Sequence, residues 1–392
     1  MTHCPAASSR PRFDIAEIVR GHGVELEQHC PLSALSKRVL GAVAACRTGR
    51  LSGYLDVCRS CGHTHAVYHS CRNRHCPKCQ SLAQQRWIET RSSRLLPTRH
   101  FHVVFTLPAP LRSLCRHAPT AMYTALFDAA TSTLVDLATS KWKATIGITA
   151  VLHTWTRDLR LHPHVHMLVT AGGLALNHSR WVHRRTFLFL REMMSTVFRG
   201  KMLEHVKHLY HQGTFAKLDL FQDPEAFDRL VASLRKIRWV VHAKRPFRRP
   251  EHVLRYLGRY THRVAISNSR LLDVTPSHVT WRTRKQQTAT VSPVEFLRRF
   301  VQHILPDGFH KIRHYGLYAS AQKAKWKAAK ALLQPTTTLP TEAAAEPVKE
   351  KETPPDWVEQ LRRLTGRDVR LCTHCGGIID SLPLARAPPS PT

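Results

Sequence analysis

Three histidines alternate with other residues in the segment 161–171, and this alternation limits the fold more than any other feature of the chain. The segment reads LHPHVHMLVTA. A repeat of two is the period of a β-strand, so His164 and His166 should project from one face and Val165 and Met167 from the other. The sequence therefore predicts a strand that brings two imidazoles into one pocket.

Two imidazoles in one pocket can bind a metal ion. Imidazole suits first-row metals, and two such ligands leave coordination positions open for an oxygen substrate, as phosphoryl chemistry requires. A pair of exposed strand histidines is the alternative, because the chain contains 27 histidines. His162 is a candidate third ligand, although at ~3.3 Å per residue it lies about 13 Å from His166 in an extended strand. Pro163 also indicates that the paired strand begins after it.

The chain is strongly basic. It contains 59 Lys and Arg against 27 Asp and Glu, which gives a formal charge of +32, and this favours nucleic acid as the partner. No apolar run reaches the ~20 residues that cross a membrane, and the N-terminal residues lack the pattern of a signal peptide. We therefore expect a cytoplasmic protein that associates with the nucleoid when it binds DNA, and no membrane segment.

Cysteines are concentrated in the segment 58–79. Two CxxC pairs with fourteen residues between them can each give two thiolates to a tetrahedral zinc ion. The ligands of one predicted structural zinc site are Cys58, Cys61, Cys76 and Cys79. Cys71 and His75 lie among them and could replace one ligand or complete a second site.

The same segment is basic, and a third CxxC pair lies far from it. Arg72, Arg74 and Lys78 predict contact between this module and DNA. Cys372 and Cys375 form a pair that has no partner pair nearby. This third pair could borrow ligands from elsewhere, mediate dimerisation, or be a remnant.

The order of predicted elements indicates an α+β fold. A strand at 100–107 and a helix at about 111–140 precede a strand at 145–155 and the histidine strand, which favours a sheet with helices packed against it. Further helices are predicted at 191–211 and 224–236. We expect four regions: 1–95, helical and zinc-binding; 96–333, catalytic with a basic, aromatic C-terminal extension that contacts nucleic acid; 334–356, a linker; and 357–392, a tail with the CxxC pair.

The segment 250–267, PEHVLRYLGRYTHRVAIS, predicts a helix that carries two tyrosines one turn apart, Tyr256 and Tyr260. Three arginines repeat at the same interval on the adjoining face: Arg255, Arg259 and Arg263. A phenol is a poor nucleophile at its usual pKa of about 10, but neighbouring positive charge or a metal favours the phenolate. Two partly buried tyrosines beside phosphate-binding arginines are the alternative.

Several motifs in one order resemble a known family. They are YHSCRNRHCPKCQ, FHVVFTLPAPLR, HPHVHMLVTAGGL, YLGRYTHRVAIS and FLRRFVQHILPDGFHKIRHYGLYA. Together they resemble the two-tyrosine rolling-circle transposases of the insertion-sequence ninety-one family, which belong to the HUH endonucleases. The resemblance covers nearly the whole chain.

The resemblance implies a fold and a mechanism. The fold is a ferredoxin-like or RRM-like antiparallel sheet whose central strand bears the histidines, preceded by a zinc domain for DNA recognition. His164 and His166 would hold Mg²⁺ or Mn²⁺, and Tyr256 or Tyr260 would attack single-stranded DNA at a transposon end, leaving a 5′-phosphotyrosine and a free 3′-hydroxyl for transfer to target DNA. Candidate third metal ligands are His162, His252, His262 and Glu251.

Three other functions are weaker. A barrel-type metal hydrolase needs several acidic ligands and an eightfold strand–helix alternation, and neither is evident. A carboxylate-triad recombinase needs clustered acidic residues. A non-catalytic zinc-dependent DNA-binding protein explains the charge and the cysteines but leaves the histidine strand and the two tyrosines without a role.

Overall fold

The structure is a computed structural model, and it describes residues 11–184, 186, 188–221, 223, 225–247, 254, 258, 265–284, 286–334 and 357–385. The described residues form two compact units. The first comprises residues from 1–83, 266–297 and 336–392, and the second comprises residues from 84–265 and 298–335. This division differs from the sequence-based regions, because the C-terminal segment belongs to the same unit as the N-terminal one.

Helices account for much of both units. Their bounds are α1 Ile15–His29, α2 Ala34–Ala45, α3 Ser81–Ser92, α4 Arg112–His117, α5 Pro119–Trp142, α6 Arg191–His211, α7 Ala226–Lys236, α8 Pro293–Val301, α9 Lys323–Leu333 and α10 Trp357–Thr365. Side-chain caps fix the starts of two of these helices. Asp14 and Ser33 cap α1 and α2 by accepting backbone N–H bonds from Ala16 and Ser36, each 3.1 Å long, which satisfies donors that a helix start leaves unpaired.

Fourteen strands are assigned in the described residues. Their bounds are β1 Gly53–Cys58, β2 Thr64–Tyr68, β3 His100–Thr106, β4 Ala144–Thr145, β5 Gly147–Trp155, β6 Leu161–Thr170, β7 Gly172–Ala175, β8 Trp181–His183, β9 Val240–Phe247, β10 Leu271–Val274, β11 Val279–Arg282, β12 Thr288–Val291, β13 Ile312–Gly316 and β14 Ile379–Leu384.

The second unit is built on a five-stranded sheet in the order β13-β5-β6-β3-β9, and all neighbouring strands are antiparallel. The histidine strand β6 is therefore the middle strand, as the resemblance implied. Val165 and Met167 point into a large apolar core that also contains Leu126 of α5 and Phe198 of α6. One face of the sheet thus packs on helices, and the alternate residues of β6 lie on the other face.

The first unit contains two smaller three-stranded sheets, β14-β1-β2 and β10-β11-β12. In the first of them, β1 pairs with β2 on one side and with the C-terminal strand β14 on the other, both antiparallel. In the second, Trp281 of β11 packs edge-on against Phe296 of α8, and both side chains are fully buried.

Most long elements agree with the sequence prediction, and one segment does not. Helix α6 and strand β6 lie where their periodicity placed them. The segment 311–333 was expected to be a nucleic-acid-binding extension, but its first part is β13, an edge strand of the central sheet. Tyr318, just beyond it, is buried and its hydroxyl lies 2.6 Å from His100 Nε2. The aromatic residues at this point therefore build the core instead of an exposed stacking surface.

Candidate metal centres and active site

Strand pairing arranges the histidines of the central sheet. Six consecutive residues of β5, from Ile148 to His153, pair with β6 in one register, so His153 lies directly opposite His164 and shares its face. Beyond this pair the register shifts in a β-bulge: Trp155 pairs with Leu161, so two residues of β6 stand opposite one residue of β5. The bulge lies at Pro163, where the missing N–H is tolerated. The strand thus begins before Pro163 and not after it.

The result is a cluster of three imidazoles. His153, His164 and His166 each offer a ring nitrogen, and these atoms all lie within 4.8 Å of one another. The ring centroids are 4.2 Å apart for His153 and His166 and 4.9 Å apart for His164 and His166. Nitrogen atoms at this spacing can converge on one first-row metal ion and leave further positions open.

Hydrogen bonds orient two of these rings. His164 Nδ1 lies 2.6 Å from the carbonyl oxygen of His162, and because a carbonyl only accepts, Nδ1 carries the proton and Nε2 keeps its lone pair. His166 Nδ1 lies 2.8 Å from Nε2 of His102 on the neighbouring strand β3. Metal-ligating histidines are fixed by hydrogen bonds of this kind through the second ring nitrogen.

Burial keeps the cluster neutral. It lowers the pKa of His164 to about 4 and that of His102 to about 4. It also holds the pKa of His153 and of His166 well below the usual value, and the neighbouring imidazoles add to this effect. Only a neutral imidazole can donate its lone pair to a metal, so the environment prepares all three rings as ligands.

Two lysines add positive charge beside the cluster. Lys244 of β9 lowers the pKa of His166, and Lys311 lowers that of His153, each in addition to the larger effect of burial. Fixed positive charge near a metal site attracts phosphate oxygens.

His162, the suggested third ligand, is not part of this cluster. The group of ring nitrogens that lie within 4.8 Å of one another does not include it, and its buried Nδ1 has no hydrogen-bond partner. His153 therefore replaces it as the candidate third ligand. The other candidates, Glu251, His252 and His262, lie outside the described residues.

Most of the predicted tyrosine segment also lies outside the described residues. This applies to Tyr256 and Tyr260 and to Arg255, Arg259 and Arg263. Within the segment, Leu254 and Gly258 are described and both are helical. Leu254 is fully buried against Val151 and Leu168. Since Leu168 follows His164 and His166 at a spacing of two, Leu254 packs on the face of the sheet that carries the histidine cluster.

The cysteines form two groups of four, and this corrects the single zinc site expected from the two CxxC pairs. The structure does not bring Cys58 and Cys61 together with Cys76 and Cys79. One group, the local thiol cluster, is Cys46, Cys71, Cys76 and Cys79; the other, the distant thiol cluster, is Cys58, Cys61, Cys372 and Cys375. The β1–β2 hairpin between the pairs explains the error, because it returns the chain to α2 and Cys46 before the second pair begins.

The local thiol cluster has the geometry of a tetrahedral zinc site. All four sulfur atoms lie within 4.8 Å of one another, and Cys71 and Cys79 Sγ are 3.8 Å apart, close to the ~3.8 Å that zinc–sulfur bonds of ~2.3 Å require. The Cys71 amide donates to Cys46 Sγ. Hydrogen bonds from Cys46 and Cys71 lower the pKa of Cys79, which favours the thiolate that binds metal. His75 is buried beside the cluster but outside it, with Nδ1 3.1 Å from Asn73 Oδ1.

The basic residues of this module divide between two roles. Arg72 is exposed, and Arg74 is half-buried. Lys78 was expected to contact DNA, but its ammonium pairs with the carboxylate of Asp14 and lies 3.4 Å from the carbonyl oxygen of Cys46. Lys78 therefore connects α1 to the local thiol cluster and is not placed for a phosphate.

Three residues of these centres escaped the sequence analysis. His153 and His102 lie on the strands that flank β6, and the predicted strands at 145–155 and 100–107 contained them. Cys46 ends α2, twelve residues before the first CxxC pair. An inventory of histidines on predicted neighbouring strands would have found the first two.

An α+β fold with an imidazole cluster on its antiparallel sheet, together with two four-thiol clusters, is typical of a metal-binding protein. Comparison with known proteins identifies its family. Residues 147–325 match the family model described as "Putative transposase", and residues 18–107 match the model "Transposase zinc-binding domain". The first range contains the three clustered histidines, and the second contains the local thiol cluster. No solved structure shows significant similarity to the chain.

Two relatives match over long ranges. "Putative transposase y4qJ" of Sinorhizobium fredii is 40% identical over 376 residues, which cover 92% of each chain. The "Transposase for insertion sequence element IS801" of Pseudomonas savastanoi pv. phaseolicola is 30% identical over 294 residues, or 70% of this chain and 68% of the relative. The chain belongs to the insertion-sequence ninety-one family of transposases and carries that family's N-terminal zinc-binding domain. In the part of the chain that the structure describes, no helix is both long and apolar enough to span a bilayer.

Proposed function

We propose that this transposase cleaves and rejoins single-stranded DNA at transposon ends through a 5′-phosphotyrosine, in the manner of an HUH endonuclease. The observation that carries the proposal is the cluster of His153, His164 and His166 on the middle strand of the sheet, on the face opposite the helical core. The substrates are the transposon end and the target DNA, and the enzyme acts in the cytoplasm where it meets the nucleoid.

The donor set fits a divalent first-row ion. Three neutral imidazoles suit Mn²⁺ better than Mg²⁺, because Mg²⁺ demands oxygen ligands in an octahedral arrangement. The metal, when bound, polarises the scissile phosphate and supports the charge that develops on it. His153, His164 and His166 hold it, and His102 and the carbonyl of His162 fix the orientation of two of these rings.

The tyrosine segment supplies the nucleophile. Tyr256 lies between Leu254 and Gly258 in sequence, and Leu254 packs on the histidine face, which supports placing the phenols near the cluster. The phenolate oxygen of Tyr256 or Tyr260 attacks phosphorus, a tyrosine–phosphate bond forms, and the bond to the 3′-oxygen breaks as that oxygen takes up a proton. The phosphoester is conserved, so a 3′-hydroxyl can later attack the phosphotyrosine and restore a DNA strand.

Positive charge holds the DNA. Lys244 and Lys311 lie beside the histidines. In the sequence, Arg255 and Arg259 immediately precede the two tyrosines, and Arg263 follows them. Phosphate contacts of this kind position the strand. Arg72 and Arg74 of the zinc-binding domain are proposed to contact the transposon end.

The test is covalent capture of DNA on the protein. The purified chain is incubated with end-labelled single-stranded DNA from a candidate transposon end and Mn²⁺, and the products are separated on a denaturing gel. We expect a protein-linked band that is lost in the Tyr256→Phe/Tyr260→Phe double variant and in His164→Ala. The matched control His162→Ala, which alters a histidine of the same strand outside the cluster, should retain the band.

The single tyrosine variants assign the first nucleophile. An adduct that survives in the double variant would exclude both tyrosines, and an adduct that forms equally well in His164→Ala would exclude the metal role of the cluster. Tight DNA binding without any adduct at the correct end would favour a non-catalytic DNA-binding protein.

A further inference from the structure

The distant thiol cluster consists of two CxxC turns that share one backbone conformation. In the first turn, the Cys58 amide donates to the His63 carbonyl and the Gly62 amide donates to the Cys58 carbonyl. In the second turn, the Cys372 amide donates to the Gly377 carbonyl and the Gly376 amide donates to the Cys372 carbonyl. The spacing of the bonded residues is identical in the two turns.

Each turn also has a glycine at the same position with positive φ, +69° at Gly62 and +77° at Gly376. This conformation is strained for residues that have a Cβ. The tight turn after each second cysteine directs both sulfur atoms of the pair to one side. Two such turns are the usual halves of a tetrahedral zinc site with four cysteine ligands.

The two turns meet at the distance that a shared zinc ion requires. Cys58 and Cys375 Sγ are 3.4 Å apart, and Cys61 and Cys372 Sγ are 3.9 Å apart. The backbone approaches so closely that a Cβ on Gly377 would clash with the Ser60 side chain and stand 3.2 Å from Cys58 Sγ.

Further contacts around the distant thiol cluster join the β1–β2 hairpin to the C-terminal segment. Strand β14 lies antiparallel to β1 from Gly53–Leu384 to Cys58–Ile379. The Arg59 guanidinium binds both carboxylate oxygens of Asp380 at 2.8 and 2.6 Å. The rings of His63 and His374 stack with centroids 5.6 Å apart.

We propose that Cys58, Cys61, Cys372 and Cys375 bind a second zinc ion, which fastens the C-terminal segment to the β1–β2 hairpin. The zinc-binding part of the protein is then built from both ends of the chain, although the matched zinc-binding domain covers only residues 18–107. This site resolves the role of the third CxxC pair, which borrows its missing ligands from a hairpin about three hundred residues earlier. The proposal does not depend on the catalytic mechanism.

The first test counts thiolate-bound metal in the full-length protein. The protein is reconstituted with Co²⁺, whose thiolate charge-transfer absorption distinguishes sulfur sites from the histidine cluster. We expect two tetrathiolate sites in the wild type and one in Cys372→Ser/Cys375→Ser. The control Cys30→Ser, which removes a thiol outside both clusters, should retain two. An unchanged signal in the double variant overturns the second site.

The second test requires no change to a ligand. A specific protease site is placed in the segment 335–356, the full-length protein is cleaved there, and the products are separated by size under native conditions. We expect the C-terminal fragment to elute with the rest of the chain in zinc and to be released when a chelator removes the metal.

The same cleavage in Cys58→Ser/Cys61→Ser should release the fragment without chelator, because these residues supply the other half of the site. A fragment that dissociates from the zinc-loaded wild type, or that stays bound after all zinc is removed, overturns the role of the ion as the fastening. Either outcome is independent of whether the serine variants fold as well as the wild type.

Discussion

The two units of this transposase carry different kinds of candidate metal ligand. The first unit presents eight thiols in two closed groups of four, and the second presents three imidazoles. Four thiolates fill the tetrahedral shell of zinc and leave no place for a substrate, whereas three imidazoles leave positions open. Under the proposed function, a metal in the first unit would maintain the fold, and a metal in the second would take part in chemistry.

The two units should also differ in how well they keep their fold without metal. The three histidines belong to strands that are hydrogen-bonded on both sides and packed on a large core. The residues of the local thiol cluster lie at the end of α2 and in the loop after β2, outside the paired strands. We therefore expect the first unit to depend on its metal for folding and the second unit to keep its fold without one.

Removal of zinc should have the largest effect on stability, and this effect should differ between the two units. Apparent binding energies of structural zinc are about 10–16 kcal/mol, which equals or exceeds the stability of an ordinary domain. Chelation should therefore abolish amide protection in the hairpin of β1 and β2 while β5 and β6 stay protected, as measured by hydrogen exchange and mass spectrometry. Equal protection of the hairpin with and without zinc would contradict the comparison.

Removal of one imidazole should affect chemistry and spare the fold. His153→Ala deletes one of three ligands, so we expect Mn²⁺ affinity to fall by at least about 100-fold, since even loss of a supporting residue costs 10–100-fold. Calorimetric titration measures the affinity, and the adduct gel measures the activity.

The fold of the His153→Ala variant is monitored by its thermal unfolding. The matched variant His162→Ala should bind Mn²⁺ nearly as well as the wild type, because that ring lies outside the cluster. Equal losses in the two variants would show that the register of β5 on β6 does not select the ligand.

Acid should destabilise the second unit through its buried neutral histidines. Burial lowers the pKa of His100 to about 4 and that of His303 to about 4, below the ~6.5 of an unfolded chain. The unfolded state thus binds more protons between these values, and stability is lost as the pH falls from about 6.5 to about 4, by at most about 3 kcal/mol for each residue.

Urea unfolding at several pH values, followed in the second unit, measures this dependence. His303→Gln should make it shallower, because the glutamine amide can replace the bonds to Thr154 and to the Leu159 carbonyl without titrating. Stability that stays constant or rises as the pH falls through this range would refute the neutral burial of these rings.

The smallest effect concerns helix α2, which leads into the local thiol cluster. Ser33→Ala removes the side chain that accepts the Ser36 amide, and loss of such a cap costs about 1 kcal/mol. The change should lower the denaturation midpoint of the zinc-loaded first unit only slightly. Ser33→Asp keeps an acceptor and should match the wild type; an equal loss in both variants would assign the effect to something other than the cap.

Only the histidines of the centre that lie on one strand could be predicted from the sequence. His164 and His166 are two residues apart, so strand periodicity alone placed them on one face. The addition of His153 depends on the register in which β5 pairs with β6, which sets His153 directly opposite His164. A shift of one residue exchanges the two faces of a strand, so this ligand required the register, which the sequence does not state.

The thiol centres show the same limit at a longer range. The spacing of the two CxxC pairs falls one residue short of a template for one zinc site, and that template assumes that ligands close in sequence share an ion. The hairpin between the pairs separates them, and each pair finds its partners in another segment. The pairing of Cys58 with Cys375 depends on how β14 returns to β1, a long-range contact that no local pattern encodes. The long helices and the inner strands of the central sheet were predictable because hydrophobic periodicity is local, whereas the edge strand β13 was not predicted.

The separation of the two CxxC turns also has a consequence for the newly made chain. Cys61 and Cys372 are 311 residues apart, and ribosomes add about 5–20 residues per second. The first turn therefore leaves the ribosome roughly 15–60 seconds before the second exists. During that interval β1 lacks its partner β14, and Cys58 and Cys61 have only half of the proposed ligand set. A chain that stops before Cys372 keeps both deficits, so an unfinished copy of the transposase exposes a strand edge that a finished copy covers.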